Sequence, residues 1–381
     1  MGPLQGIKVL ELAGIGPGPF CGMMLADMGA EVIRIDRAGS VRGGDPDVPP
    51  ADVLGRGRKS IGIDLKSEAG RDLVLEMVES ADVLFEGFRP GVTERLGVGP
   101  DACLERNPKL VYGRMTGWGQ AGPYSSMAGH DINYISLAGA LEPIGRRGQG
   151  PVPPLNLVGD FGGGGMFLAF GIVCAVLQAR ESGRGQVVDA AMIDGASALV
   201  GFFHGFRAMG IWNDERGTNM LDTGAHYYDV YETSDQKYVS IGSIEPQFYA
   251  ELLEKLGLTD DPEFAVQNDR NTWQALKQRL EAIFKTRTRD EWSATFEGSD
   301  VCFAPVLSLA EAPEHPHAVA RNSFIELGGV VQPAPAPRFS ETDCETPQPA
   351  AHAGQHTNEV LAGFGVEQGR VEALREAGVV A

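Results

Sequence analysis

Residues 7–35 read IKVLELAGIGPGPFCGMMLADMGAEVIRI, and this run decides the fold class. Ile7 to Leu12 is a short apolar run of strand length. Gly14, Gly16 and Gly18 follow, with Pro17 and Pro19 between them. Phe20 to Met28 has the composition of a helix, and Glu31 to Ile35 returns to strand. A strand, a tight glycine turn, a helix and a second strand in one unbroken run make a βαβ unit, which requires parallel pairing.

The alternation continues. A helical segment from Ser67 to Ser80 precedes a strand at Asp82 to Phe85, and the strand Leu110 to Met115 runs into a glycine-rich loop, Gly117 to Gly122. The expected fold is α/β with a doubly wound, mostly parallel sheet. The middle is more helical, with a long helix from Asp160 to Arg180 that starts in four glycines. Val187 to Ala191 reads as a strand, and Gly195 to Gly210 as apolar helix. The character changes over 226–310, with strands at Tyr227 to Glu232 and Lys237 to Ile241 and amphipathic helices from Gln247 and Thr272. The expected division is a large α/β domain at 1–190, linker helices at 191–225 and a small α+β domain at 226–310. A return linker and the C-terminal part of the large domain fill 311–381. Gln332 to Pro337, QPAPAP, reads as an extended linker, and Val366 to Glu376 as a final helix.

The 381 residues include 32 Lys and Arg against 51 Asp and Glu, a net charge of −19. A chain this acidic repels nucleic acid and anionic lipid, so an anionic ligand needs a local basic cluster. The five cysteines, Cys21, Cys103, Cys174, Cys302 and Cys344, are scattered and form no CxxC. That spacing argues against a disulfide framework and a thiolate zinc site, and a reducing, cytoplasmic setting is expected. The opening MGPLQGIKVL lacks the pattern of a secretory signal. The apolar stretch around Met166 to Leu177 reads as too short to span a bilayer, so no membrane partner is expected.

The chemistry-bearing residues fall in a few segments. The glycine turn invites a dinucleotide reading, but GxGxxG from Gly14 would need glycine at Pro19. A basic cluster, Arg56, Arg58 and Lys59, with Arg37 and Arg42 upstream, suits phosphates; on charge alone it could equally be a solvated loop. The strand after it, Ile61 to Leu65, is placed to lie under an adenine. His130 precedes a segment of helical periodicity and is a candidate general base, although a lone histidine is more often structural. Asp160 precedes Gly162 to Gly165. It could be a helix cap, or an acid beside amides that receive a developing enolate oxygen. Glu245, after a strand of the second domain, could cap the next helix or orient an imidazole. Eleven methionines, all at or before Met220, suit either an adaptable acyl surface or ordinary core filling.

Taken in order, LQGIKVLELAGIGPGPFCGMMLADMGAEVIRIDR (4–37), GRGRKSIGIDLK (55–66), AGHDINYISLAG (128–139), PLNLVGDFGGGG (154–165) and GSIEPQFY (242–249) resemble the α-methylacyl-CoA racemases. These form a family within the class III CoA-transferase superfamily. GHDINY with LNLxxDF is the specific part of the likeness, and the N-terminal segment marks only the superfamily. The resemblance implies the class III CoA-transferase fold, an interlocked homodimer, a 2-methylacyl-CoA substrate and no metal or redox cofactor. It implies His130, paired with Glu245 of the partner subunit, as one catalytic base and Asp160 as the base on the opposite face. Coenzyme A and substrate contacts would come from Arg37, Arg58, Lys59, Gly62, Ile63, Asp64, Leu65, Arg89, Gly129, Asp131 and Tyr134. The rival within the superfamily is a CoA-transferase, in which Asp160 would attack the thioester as a nucleophile. A non-catalytic coenzyme A binding protein would keep the basic cluster without needing His130, Asp160 and Glu245 together.

Overall fold

The computed structural model describes residues 2–381. The chain folds as two compact units. The first comprises 2–138, 155–199 and 321–381, and the second comprises 139–154 and 200–320.

The first unit is built on β1 (Lys8–Leu12), β2 (Glu31–Arg37), β3 (Arg58–Ile63), β4 (Val83–Glu86), β5 (Val111–Thr116) and β6 (Gln186–Ala191). They form one parallel sheet in the order β3-β2-β1-β4-β5-β6. This is the doubly wound sheet the alternation predicts, with its order reversing between β1 and β4. Strand residues alternate between two buried faces, so the strands read as continuous apolar runs. Leu10, Ile33 and Leu84 meet Leu73 and Met77 of α2 (Glu68–Val78) on one face. Val9, Val32, Val83 and Val111 meet Cys21 and Leu25 of α1 (Pro17–Asp27) on the other, together with Leu168 and Ile172 of the helix Met166–Ser182. Pro17 opens α1 with its fixed φ. Ser67 opens α2 by accepting from the Gly70 amide at 3.0 Å, a cap worth ~1 kcal/mol.

Between β4 and β6 lie α3 (Val92–Leu96), α4 (Pro100–Arg106), α5 (Asp131–Leu137) and a π-helical stretch, Leu157–Gly165, which runs into α6 (Met166–Ser182); α7 (Met192–Leu199) follows β6. The π stretch and α6 together form a helix of 26 residues, within which an 18-residue window has a mean hydropathy of 1.7. By length and composition the whole helix is thus long and apolar enough to cross a membrane, where the stretch Met166 to Leu177 taken alone reads as too short. One of its faces packs on the sheet through Leu168, Ile172 and Ala175, while Phe170 and Leu177 are exposed.

Residues 321–381 return to the first unit. The edge of β3 is closed by the chain end, where the Asp64 amide donates to Val379 O at 2.8 Å and the Ala381 amide to Gly62 O at 3.1 Å. The QPAPAP stretch is only partly a linker. Gln332 and Pro333 belong to a hairpin strand, Val330–Pro333, paired with Phe324–Leu327. Their oxygens accept from Arg56, which is buried against Asp27 at 2.6 Å.

In the second unit, Tyr228–Glu232, Tyr238–Gly242 and Phe303–Val306 form a three-stranded antiparallel sheet. It packs on helices Pro246–Leu256, Trp273–Phe284 and Arg289–Phe296 through an aromatic core that includes Tyr231, Phe284 and Trp292. Residues 139–154 were expected in the large domain, and 200–225 as linker. Both belong to this unit, because buried Asp229 binds Arg146 at 2.9 Å and Lys277 at 2.7 Å, and Arg216 binds Glu142 at 2.8 Å. These are long-range ion pairs with no local sequence signal.

Candidate active site

The turns after β1, β4 and β5 meet where the strand order reverses, the place where open α/β sheets bind ligands. A cavity of about 530 Å³ opens there. Ile15 to Pro17 contribute from the turn after β1, Gly87 to Pro90 from the turn after β4, and Thr116 to Trp118 from the turn after β5. Met115, Met127 and Met192 supply adaptable apolar wall. His130 and Asp160 both line the cavity, joined by Gly129, Tyr134 and Arg89.

His130 is exposed at the N-cap position of α5, and its backbone amide donates to Asn133 Oδ1 at 3.0 Å. The segment before it is fixed by Tyr134, whose hydroxyl donates to Gly129 O. The Tyr134 ring stands edge-on to Trp118 at 4.7 Å. Side chains at Gly117 or Gly129 would collide with that ring, at 2.1 and 2.7 Å, so both glycines are required by packing. Burial raises the Tyr134 hydroxyl above its usual pKa, and the charge of Asp160 adds to the rise.

Asp160 sits inside the first turn of the π stretch rather than ahead of a helix. Its Oδ2 accepts from Asn156 Nδ2 at 3.0 Å. Gly16, at φ +69, gives it room: a Cβ there would stand 3.3 Å from the same oxygen. Beneath the cavity, buried Asp131 accepts from the Asp160 amide at 2.6 Å. Its carboxyl is raised, first by burial, against the pull of that amide. The residue after His130 thus grips the peptide that carries Asp160. Asp131 was expected to touch substrate, whereas its carboxylate instead supports the site from below. The Asp160 amide is therefore already occupied and is not free for an enolate oxygen.

The four glycines do not open the backbone to a ligand. A Cβ on Gly163 would lie 2.6 Å from Ala196 N, one on Gly164 3.1 Å from Pro17 Cβ, and one on Gly165 2.7 Å from Pro17 O. They let the π stretch press against α1 and α7.

The family model described as CoA-transferase family III matches residues 4–357. The chain belongs to CoA-transferase family III. It is 44% identical over 379 residues to the alpha-methylacyl-CoA racemase of Mus musculus, covering 99% of this chain and 97% of that protein. It is 41% identical over 381 residues to the Homo sapiens protein of the same name, with the same coverage. A crystal structure of a CAIB/BAIF family protein from Brucella suis superposes with a TM-score of 0.82 at 27% identity, covering 95% of this chain and 99% of that one.

Within this family III chain the remaining expected residues divide sharply. Arg58 is buried and bound to Glu11 and to Leu54 O, and Lys59 pairs with Glu31 at 3.2 Å and Glu359 at 2.8 Å. The basic cluster thus points into the fold or is already paired. Its sequence could not show this, because the partners lie on other strands and helices. Gly62, Ile63 and Asp64 lie along the edge covered by the chain end. Leu65 borders a separate polar groove of about 460 Å³ with Lys66, Arg71 and Arg95. Among the described residues, no ion pair engages Arg37, Arg89, Lys66 or Arg95. Lys66 and Arg95 were missed by the sequence reading, having no cluster of charge around them to draw attention. Glu245 is exposed in the second unit at the N-cap position of its helix, makes no cap hydrogen bond, and is not among the residues lining the cavity.

Proposed function

We propose that this protein interconverts the (2R) and (2S) forms of 2-methylacyl-CoA thioesters by moving one proton at the α-carbon. The observation that carries the reading is that His130 and Asp160 line one cavity at the switch point of the sheet. Inverting a carbon through a planar enolate requires a base on one face and an acid on the other. An imidazole and a carboxylate converging on one space meet that need: the group that takes the proton leaves the step protonated and the one that gives a proton leaves it deprotonated, which is the pair of states the reverse direction requires. A CoA-transferase would use Asp160 as a nucleophile and has no task for His130.

In this reading the thioester carbon lies between His130 and Asp160, with the acyl chain along the methionine-lined wall. The enolate oxygen needs hydrogen-bond donors at the cavity, and the Asp160 amide is not one of them, because Asp131 holds it. Arg89, which lines the cavity, together with Arg37, Lys66 and Arg95, which make no ion pair among the described residues, are candidates to hold the coenzyme A phosphates. Glu245 would orient His130 from a partner subunit in an interlocked homodimer. That arrangement is supported by exposed apolar side chains such as Phe170, Leu177 and Phe202.

The test is incubation of one pure 2-methylacyl-CoA enantiomer in D2O with no acceptor acid. The expected outcome is loss of optical purity with one deuterium gained at C2. Retained configuration, or turnover only when a carboxylic acid acceptor is added, would refute the racemase reading.

A further inference from the structure

A buried acid at the end of β4 has no part in the proton transfer. Glu86 is 0% exposed. Its Oε2 accepts from the Phe88 amide at 2.6 Å, and its Oε1 from Arg114 Nε at 3.1 Å. Arg114 stands beside it in register on β5 and also donates to Glu94 of α3 at 2.8 Å. Two acids thus share one arginine, an arrangement with a large desolvation cost that an apolar pair would avoid. Its visible product is the geometry of the next four residues, since Gly87, Phe88, Arg89 and Pro90 all line the cavity. The Arg89 side chain has no ion-pair partner among the described residues, and Arg89 follows directly on the Phe88 peptide that Glu86 holds.

We propose that Glu86 is a positioning residue for coenzyme A binding, its carboxylate fixing the Gly87–Pro90 turn so that Arg89 and Phe88 face the cavity. This rests on the reading that the cavity takes a coenzyme A thioester. The carboxylate form makes the stronger acceptor for the Phe88 amide. Burial pushes the Glu86 carboxyl up to about 7, opposed by the Phe88 amide and Arg114 and reinforced by Glu94. The other titratable neighbour on β5, Tyr112, is itself buried and held neutral. The turn should therefore loosen, and binding weaken, as pH falls from 8 to 6.

The test uses the full chain and two measurements. The first is calorimetric titration with dephospho-CoA, whose diphosphate diester does not titrate in this range. Its Kd is expected to rise about tenfold between pH 8 and pH 6 in the wild type and to stay flat in Glu86→Gln. The second is steady-state kinetics at pH 8, where Glu86→Gln is expected to raise KM about tenfold and to change kcat by less than about twofold. A flat wild-type titration, a slope that Glu86→Gln retains, or an unchanged KM each overturns the proposal. If the variant fails to fold, Glu86→Asp, whose shorter carboxylate cannot reach both the Phe88 amide and Arg114, replaces it in the kinetic measurement with the same expected rise in KM, and an unchanged KM overturns the proposal. A wild type that binds no coenzyme A ligand and turns over no thioester instead sinks the functional reading beneath it.

Discussion

His130 and Asp160 stand 30 positions apart, and one carboxylate joins them. Asp131 follows the histidine and holds the amide of the aspartate at 2.6 Å. His130 and Asp160 were legible because each sits in a distinctive local string with the chemistry its role needs. The task of Asp131 was not, since a carboxylate next to a base reads the same whether it faces ligand or peptide. Arg58 shows the opposite failure. It reads as a phosphate ligand by charge, yet it is buried against Glu11. At this scale we expect His130→Asn and Asp160→Asn each to lower racemisation by about 10² to 10⁴-fold. Affinity for coenzyme A should change by less than about twofold in both. Loss of optical purity at C2 measured beside calorimetric binding checks this, and full racemisation by either variant would remove that residue from the mechanism.

The glycine run at 162–165 is the element whose meaning changed most. Read along the chain, it suggests an open backbone for a ligand. In the fold it is a contact surface, because the π stretch, α1 and α7 approach so closely that no side chain fits between them. Gly195 of α7 is the tightest point, where a Cβ would stand 1.9 Å from Gly163 O. Gly195→Ala must therefore push α7 away from the turn that carries Asp160, at a cost of about 1–3 kcal/mol. Urea unfolding is expected to show a lowered midpoint with an unchanged slope, and a midpoint equal to wild type would show that the helices yield freely. Helix type and approximate span were readable from periodicity. The π geometry was not, since it arises from packing around the glycines and not from any residue's intrinsic preference.

The whole chain holds two units with different sensitivities. In the second unit His226 is 0% exposed, its Nε2 is 2.8 Å from the Tyr249 hydroxyl, and its Nδ1 has no partner. Burial, with Lys277 nearby, lowers its pKa to about 3. The unfolded chain protonates this histidine near 6.5 while the fold keeps it neutral, so stability is full above pH 6.5 and falls as pH drops toward 3. The loss is on the order of 3 kcal/mol by about pH 4. Urea denaturation between pH 7 and pH 4 should show that slope, and His226→Gln should reduce it; an equal slope in the variant would assign the effect elsewhere. For the proposed dimer, sedimentation equilibrium is expected to give twice the chain mass of 40.6 kDa, and a monomer at micromolar concentration would leave Glu245 without its task. By itself the amino-acid order determined the parallel α/β sheet, the presence of a second unit, and His130 and Asp160 as the candidate reacting pair. Those rest on periodicity and local residue chemistry, which are properties of neighbours in the chain. Only the tertiary structure decided which cations are free, which glycines are contacts, where the unit boundaries run and what Asp131 and Glu86 hold. These depend on partners far away in sequence, and burial and pairing are set by what the fold brings within a few ångströms.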